Sequence, residues 1–286
     1  MLHLVRRDPH QWGIERTRWT LASIRQAAGL DLRSKTGMCR LLKRLGIVWK
    51  RARTSVLSPD PNYEAKMADV AAVLVQAKAS SGQIIATYLD EVTIERHPSV
   101  AQAYAERGSD QARAQRSHAA NTLTRVVATL DALSGQVVFR RGRVTTTALV
   151  AFFQQLRAAY PDAERIYVIL DNWPMHFHPN VLVALEPQQT TFPLPRPPSW
   201  PTHPTPRASR SWGHLQLPIQ LVPLPTYASW TNPIEKLWRM LRQDVTHLHP
   251  WSADLDFLRA NIDRFLQRFA NGSLDLLRYV GLRWAD

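Results

Sequence analysis

A chain of 286 residues with 45% hydrophobic side chains can hold two domains, or one large domain with an appendage, and is too apolar to be disordered. Its 36 Lys and Arg outnumber 23 Asp and Glu, for a formal charge of +13, so a polyanionic partner is expected. The lone cysteine, Cys39, excludes an intrachain disulfide and a cysteine-built zinc site; no apolar run reaches membrane-spanning length and Met1 to Arg7 has no signal-peptide core, so a cytoplasmic protein without a membrane partner is expected.

Residues 1–15 read as polar and unpatterned. Trp19 to Gly29 predicts a short helix, with Thr20 able to cap it and Gly29 to end it. Ser34 to Gly46 predicts a second helix, in which Met38, Leu41, Leu42 and Leu45 form an apolar face and Cys39 is a small buried residue. Lys35, Arg40, Lys43 and Arg44 fall mostly off that face, and Lys50, Arg51 and Arg53 follow as a strand or basic arm. Two short helices around a tight turn, the second basic, suggest a helix-turn-helix that meets DNA with these seven residues; a charged, solvated helix pair is the plainer alternative.

Ser58-Pro59-Asp60-Pro61-Asn62 breaks the chain and marks a domain boundary. Residues 63–80 predict an Ala-rich helix with Met67, Val70, Leu74 and Ala77 on one face. Strands are predicted over 84–89, 123–130, 136–140, 166–170 and 219–222, and helices over 145–160, 179–185, 233–245 and 255–269. A hairpin followed by strand–helix alternation fits an α/β sheet with helices on its faces. Eight of the 20 prolines fall in residues 187–206, so the block to about residue 213 reads as an exposed insertion that folding does not need.

Two of these strands are apolar runs that end in an aspartate, Asp90 and Asp171, and Glu235 lies in the first turn of a predicted helix. Buried strands deliver charges to the rim of a sheet in this way. Three carboxylates converging on one site need cations, and hard oxygen donors suit Mg²⁺ or Mn²⁺. Each residue also has a structural reading: the aspartates as turn-formers, and Glu235 as the closing member of a capping box with Asn232 at N-cap and Pro233 at N1. Glu91 points away from Asp90 if the strand continues, which makes it structural. His178 resembles, with His176, an alternating metal pair, but no third soft ligand accompanies them. Arg140-Arg141-Gly142-Arg143 reads as a solvated basic turn that can also contact phosphate, and Trp230, Trp238 and Trp251 as packing residues.

The segment Leu221 to Trp238, with Asn232-Pro233-Ile234-Glu235 at its centre, resembles the third-carboxylate motif of the mariner superfamily of DDE transposases, in its bacterial insertion-sequence branch. Leu170-Asp171-Asn172 with His176 resembles the second motif, and Tyr88-Leu89-Asp90-Glu91 with Tyr104 and Gly108 the first. The resemblance runs from about Thr17 to Arg268 and implies a ribonuclease H-like catalytic domain over 81–286, preceded by a small all-α helix-turn-helix domain over 1–62 and a linker helix over 63–80. It implies a DNA transposase that cuts transposon ends and joins them to target DNA by two-metal phosphoryl transfer. Mg²⁺, for which Mn²⁺ can substitute, would be held by Asp90, Asp171 and Glu235, with Asp90 between the ions and Asn172, His176 and Asn232 bracing the ligands from behind. The implied partner is double-stranded DNA, both inverted-repeat ends and target, bound by a homodimer near the bacterial nucleoid. Two departures stand out: 63 residues separate Asp171 from Glu235, more than is usual, and one helix-turn-helix is visible where relatives carry two. A decayed transposase that only binds DNA, and a metal-dependent endonuclease that cuts without joining, are the alternatives.

Overall fold

The computed structural model describes residues 1–31, 34–50, 57–108, 110–186, 192 and 194–282. The chain divides between Ser55 and Val56 into two units, not at residue 62 as expected. The reason is chemical: Ser58 Oγ donates to the Thr226 carbonyl at 2.6 Å, and Asp60 accepts the Thr226 N–H at 2.8 Å and pairs with Lys66 at 2.6 Å. The proline-bracketed segment therefore belongs with the second unit.

The first unit contains helices α1 (Leu2–Val5), α2 (Leu21–Ala27) and α3 (Lys35–Arg44). A Thr20–Ser23 capping box starts α2, and Ser34 caps α3. Leu4, Ile24, Met38 and Leu42 form the core. The opening residues are thus patterned after all: Leu4 and Ile14 are buried, and Trp19 Nε1 donates to the Arg7 carbonyl at 2.8 Å. Cys39, expected to be buried, is exposed, because Met38 beside it takes the inward position. Leu45 is 41% exposed, so the apolar stripe of α3 is narrower than its spacing suggests. Lys35, Arg40, Lys43, Arg44 and Lys50 are all exposed; Arg51 and Arg53 lie outside the described residues.

In the second unit the apolar runs become β1 (Ile84–Glu95), β2 (Leu123–Asp131), β3 (Val137–Arg141), β4 (Arg165–Leu170) and β5 (Ile219–Pro223). They form one mixed sheet in the order β3-β2-β1-β4-β5; β3 with β2 and β2 with β1 pair antiparallel, while β1 with β4 and β4 with β5 pair parallel. Around it lie α4 (Tyr63–Ala79), α5 (Thr146–Ala159), α6 (Pro179–Leu182), α7 (Pro206–Trp212), α8 (Ile234–Leu241), α9 (Leu255–Gln267) and α10 (Leu274–Val280). Alternation along the strands feeds two cores. Tyr88, Val92, Val126 and Leu130 pack with residues of α4, α8, α9 and α10, and Leu89, Val127, Val168 and Leu170 with residues of α5. Helix α4, expected as a linker, buries Val70, Val73 and Ala77 in the first of these cores. Among the described residues, no helix is long and apolar enough to cross a membrane.

Most of residues 194–212 is exposed, as the composition of the proline-rich block suggests, but this stretch is tied to the fold at several points. Phe192 lies 5.1 Å from Phe177 and 5.9 Å from Trp200, which in turn meets His178 at 5.0 Å. Thr205 caps α7 with Pro206 in its first turn, α7 buries Ala208, and Trp212 packs against the α5 core. A deletion of residues 194–212 is therefore expected to lower the melting temperature by roughly 2–5 °C. An unchanged melting curve would show that this packing contributes nothing.

Candidate active site

The parallel register of β1 and β4 runs from Ile84 opposite Arg165 to Tyr88 opposite Ile169. Strand β4 stops at Leu170, but β1 continues to Glu95 along β2, with Asp90 opposite Ala128. Asp90 is thus not at the end of its own strand, as predicted, but level with the end of its neighbour. Continuing the register sets Asp90 beside Asp171. This carboxyl edge of parallel strands is where open α/β sheets bind ligands.

Two residues bring Glu235 to the same edge. Asn232 is buried and donates from Nδ2 to the Leu89 carbonyl at 3.0 Å, at the level where β4 has run out. It therefore does not cap α8 with its side chain, and no capping box forms. Trp238, in the first turns of α8 and 1% exposed, donates its indole N–H to Asp90 Oδ2 at 2.8 Å. It packs, as expected, and it also holds a carboxylate. Burial, then the charges of Glu235 and Glu91, push the Asp90 carboxyl up to about 7 against this hydrogen bond. The Glu235 carboxyl is raised as well, by burial and by Asp171, with Arg242 and Arg239 opposing.

On the other side, Asp171 Oδ1 accepts the Trp173 N–H at 2.9 Å. Asn172 donates to the Leu224 carbonyl at 2.9 Å, tying the end of β4 to the end of β5. His176 is fully buried; its Nε2 lies 2.8 Å from Glu91 Oε1, and its Nδ1 makes no hydrogen bond and faces Asp171 Oδ1 at 3.6 Å. Although burial opposes a charge on the ring, the neighbouring carboxylates, Glu91 first, hold its pKa above the usual histidine value. Glu91 does point away from Asp90, but it reaches Asp171 through His176. His178 is not part of the site; it caps α6.

Asp90, Asp171 and Glu235 line one cleft of about 600 Å³ with Asn172, Asn232 and the exposed rings of Tyr227 and Trp230. Trp230 is thus a cleft wall rather than a packing residue. Next to it, Arg239 and Arg242 share a second hollow with Glu235; they follow Glu235 by about one and two turns of helix. Among the described residues, no three His, Cys, Asp or Glu side chains close around a metal position. The three acids share a cleft without forming a finished cage. Its donors are carboxylate oxygens, with Glu235 raising the pKa of Asp90 and Asp171 raising that of Glu235, and the Glu235 carboxylate has no hydrogen-bond or ion-pair partner among the described residues. That donor chemistry fits Mg²⁺ or Mn²⁺. Sequence reasoning missed Trp238 as a donor and Arg239 and Arg242 as neighbours, although their spacing from Glu235 on one helix face was a readable signal.

The family described as DDE superfamily endonuclease matches residues 86–257. The insertion element IS630 uncharacterized 39 kDa protein of Shigella sonnei is 25% identical over 261 residues, 90% of this chain and 66% of that protein. The chain therefore spans just under two thirds of that relative's length. The Mos1 transposase paired-end complex with left transposon end superposes with a TM-score of 0.56 at 15% identity, over 96% of this chain and 75% of the other. The Mos1 mariner paired end complex with Mn gives 0.57 at 16%, over 93% and 72%. At these identities the likeness is one of fold: a mixed α/β sheet flanked by helices, of the ribonuclease H-like kind.

Proposed function

This chain belongs to the DDE superfamily of endonucleases, and from that membership we propose that it is the transposase of an insertion sequence, cutting transposon ends and joining them to target DNA. The observation that carries the reading is the meeting of Asp90, Asp171 and Glu235 at the carboxyl edge of β1 and β4. The relative from an insertion element and the fold shared with a transposase support it.

Asp90, Asp171 and Glu235 would hold Mg²⁺ or Mn²⁺, and Mn is named for one Mos1 complex. Bound there, the ions would make a water or a DNA 3′-hydroxyl nucleophilic near neutral pH and neutralise charge on the attacked phosphate. The protein's own contribution is placement. Trp238 fixes one oxygen of Asp90, Asn232 fixes the start of α8, and Asn172 and His176 set the loop that carries Asp171. Arg239 and Arg242 stand where a strand's phosphates would pass. Lys35, Arg40, Lys43, Arg44 and Lys50, exposed on and beyond α3, would grip duplex DNA; Arg51 and Arg53, next in sequence, are proposed contacts outside the described residues. A homodimer working in the cytoplasm, beside the nucleoid, would bring two ends together.

Joining separates this reading from an endonuclease that only cuts. The purified chain, given Mg²⁺ and a DNA fragment bearing the inverted repeats that flank its gene, should release 3′-hydroxyl ends and insert them into a target plasmid. Cut ends that never join would favour the endonuclease, and DNA binding without either step would favour a decayed transposase.

The Glu91–His176 contact gives a second expectation. Glu91→Ala should weaken Mn²⁺ binding about 10- to 100-fold, because His176 loses the partner that orients it toward Asp171. A Mn²⁺ titration indistinguishable from the parent's would assign Glu91 a purely structural part.

A further inference from the structure

Beyond the end of β4, the antiparallel strands β1, β2 and β3 continue and carry a second feature. Arg125, Arg141, Arg143 and Arg259 line one hollow of about 360 Å³. Two of the four are held in place by α9. Arg141 makes a forked contact with Asp263, at 2.9 to 3.2 Å, and Arg259 pairs with Asp256 at 3.1 Å while reaching Thr124 Oγ1 at 3.4 Å. Arg125 and Arg143 are exposed and have no side-chain partner among the described residues. Four arginines thus line the hollow and two carboxylates answer them, leaving a local excess of two positive charges. Like charges gathered around one hollow repel unless an anion joins them, and the planar forks of guanidiniums match phosphate oxygens.

The register fixes how far this hollow lies from the carboxylate cleft. Asp90 is opposite Ala128, Thr93 opposite Arg125 and Glu95 opposite Leu123, so the hollow is three to five residues further along β1. At about 3.3 Å per residue along β1 and about 4.8 Å for each of the one or two strands across, that is roughly 11–19 Å. A DNA strand advances about 3.4 Å per nucleotide along the helix axis, so this distance covers about three to six nucleotides.

We infer that this arginine-lined hollow is a seat for a backbone phosphate of the DNA whose neighbouring bond lies in the carboxylate cleft. The inference rests on the proposed DNA-cutting function and adds a contact site to it. Arg141 and Arg259, braced by α9, supply the fixed part of the seat; Arg125 and Arg143 close on the phosphate. Recognition through phosphate oxygens is indifferent to base sequence, so the seat sets register and affinity rather than sequence preference.

The test uses the full chain with Arg125→Gln and Arg143→Gln together. Both side chains are exposed and unpartnered, so the fold should be unaffected. As a charge-matched control, Arg207→Gln and Arg210→Gln remove two exposed arginines from α7. Affinity for a 30-base-pair duplex is measured across a salt series, and nicking of a supercoiled plasmid in Mg²⁺ is measured beside it. The logarithmic salt slope of the Arg125/Arg143 variant should fall by about 1, near 0.9 for the one phosphate that is no longer neutralised, while the control keeps the parent's slope. A parental slope in the Arg125/Arg143 variant, or an equal fall in the control, with the parent still nicking DNA, overturns the seat and leaves the proposed function standing. A parent that neither binds nor nicks DNA overturns the function and the seat with it.

Discussion

Replacing Asp90 with Asn is expected to stabilise the protein at pH 8 while abolishing its metal-dependent activity. The Asp90 carboxyl is pushed up to about 7 by burial and by Glu235, whereas an unfolded-chain aspartate titrates near 3.8. Between these values the folded state keeps a proton that the unfolded state has released. Stability contributed by this group therefore falls as pH rises from about 4 to 7, and above 7 the whole cost of the buried charge is present. A displacement of this size corresponds to on the order of 4 kcal/mol. Asn removes the charge and keeps an oxygen to accept the Trp238 N–H. The variant should melt roughly 5–10 °C above the parent at pH 8 in EDTA, and the gap should close toward pH 4. Mg²⁺ should raise the parent's melting temperature and leave the variant's unchanged. Calorimetry at the two pH values checks this. A variant that melts with or below the parent at pH 8 would mean that Asp90 carries no charge cost.

The second large effect is expected at Asn232. Its side chain donates to the Leu89 carbonyl inside the protein, so Asn232→Ala leaves a buried carbonyl without that donor. Such a loss costs about 1–3 kcal/mol. The same bond anchors the start of α8 to the strand carrying Asp90, and Glu235 lies in the first turn of that helix. Cleavage should therefore fall far more than stability, by about a hundredfold, because a shift of about 1 Å in a catalytic group is enough for such a loss. The measurement is single-turnover cleavage well below the melting temperature, with circular dichroism to show that the variant is folded. Near-parental cleavage by a folded but less stable variant would limit Asn232 to a structural role.

The sheet was legible because its strands are apolar runs, and the three carboxylates because Asp90 and Asp171 each follow such a run and Glu235 lies in the first turn of a helix. What the sequence concealed depended on contacts between distant segments. The continuation of β1 past Asp90 was written in Val92 and Ile94, which alternate inward, but the charged pair Asp90-Glu91 looks like an ending. The role of Asn232 was misread because an Asn before a Pro and a helix usually caps that helix, and nothing local tells that a bare carbonyl waits on β1. Trp238 carried a usable hint: a buried indole N–H needs an acceptor, and Glu235 stands three residues before it. Thr205-Pro206 is a helix start inside a block that proline content alone marks as irregular. Helix α10 was missed, although Ser273 caps it and Gly281 ends it in a left-handed conformation. The division at Ser55 could not be placed from Ser58 to Asn62, because the pull of Thr226 on Asp60 joins residues far apart in sequence.

The proposed function stands or falls on whether the three carboxylates act together on DNA. The most direct measurement is the rate at which the purified chain nicks supercoiled DNA as Mg²⁺ is titrated, run beside Glu235→Ala, which removes an acid that no hydrogen bond or ion pair ties into the described fold. Nicking should need Mg²⁺ or Mn²⁺, be absent in EDTA, and disappear in Glu235→Ala while that variant still binds DNA. Mg²⁺-dependent nicking that survives unchanged in Glu235→Ala would contradict the proposed function.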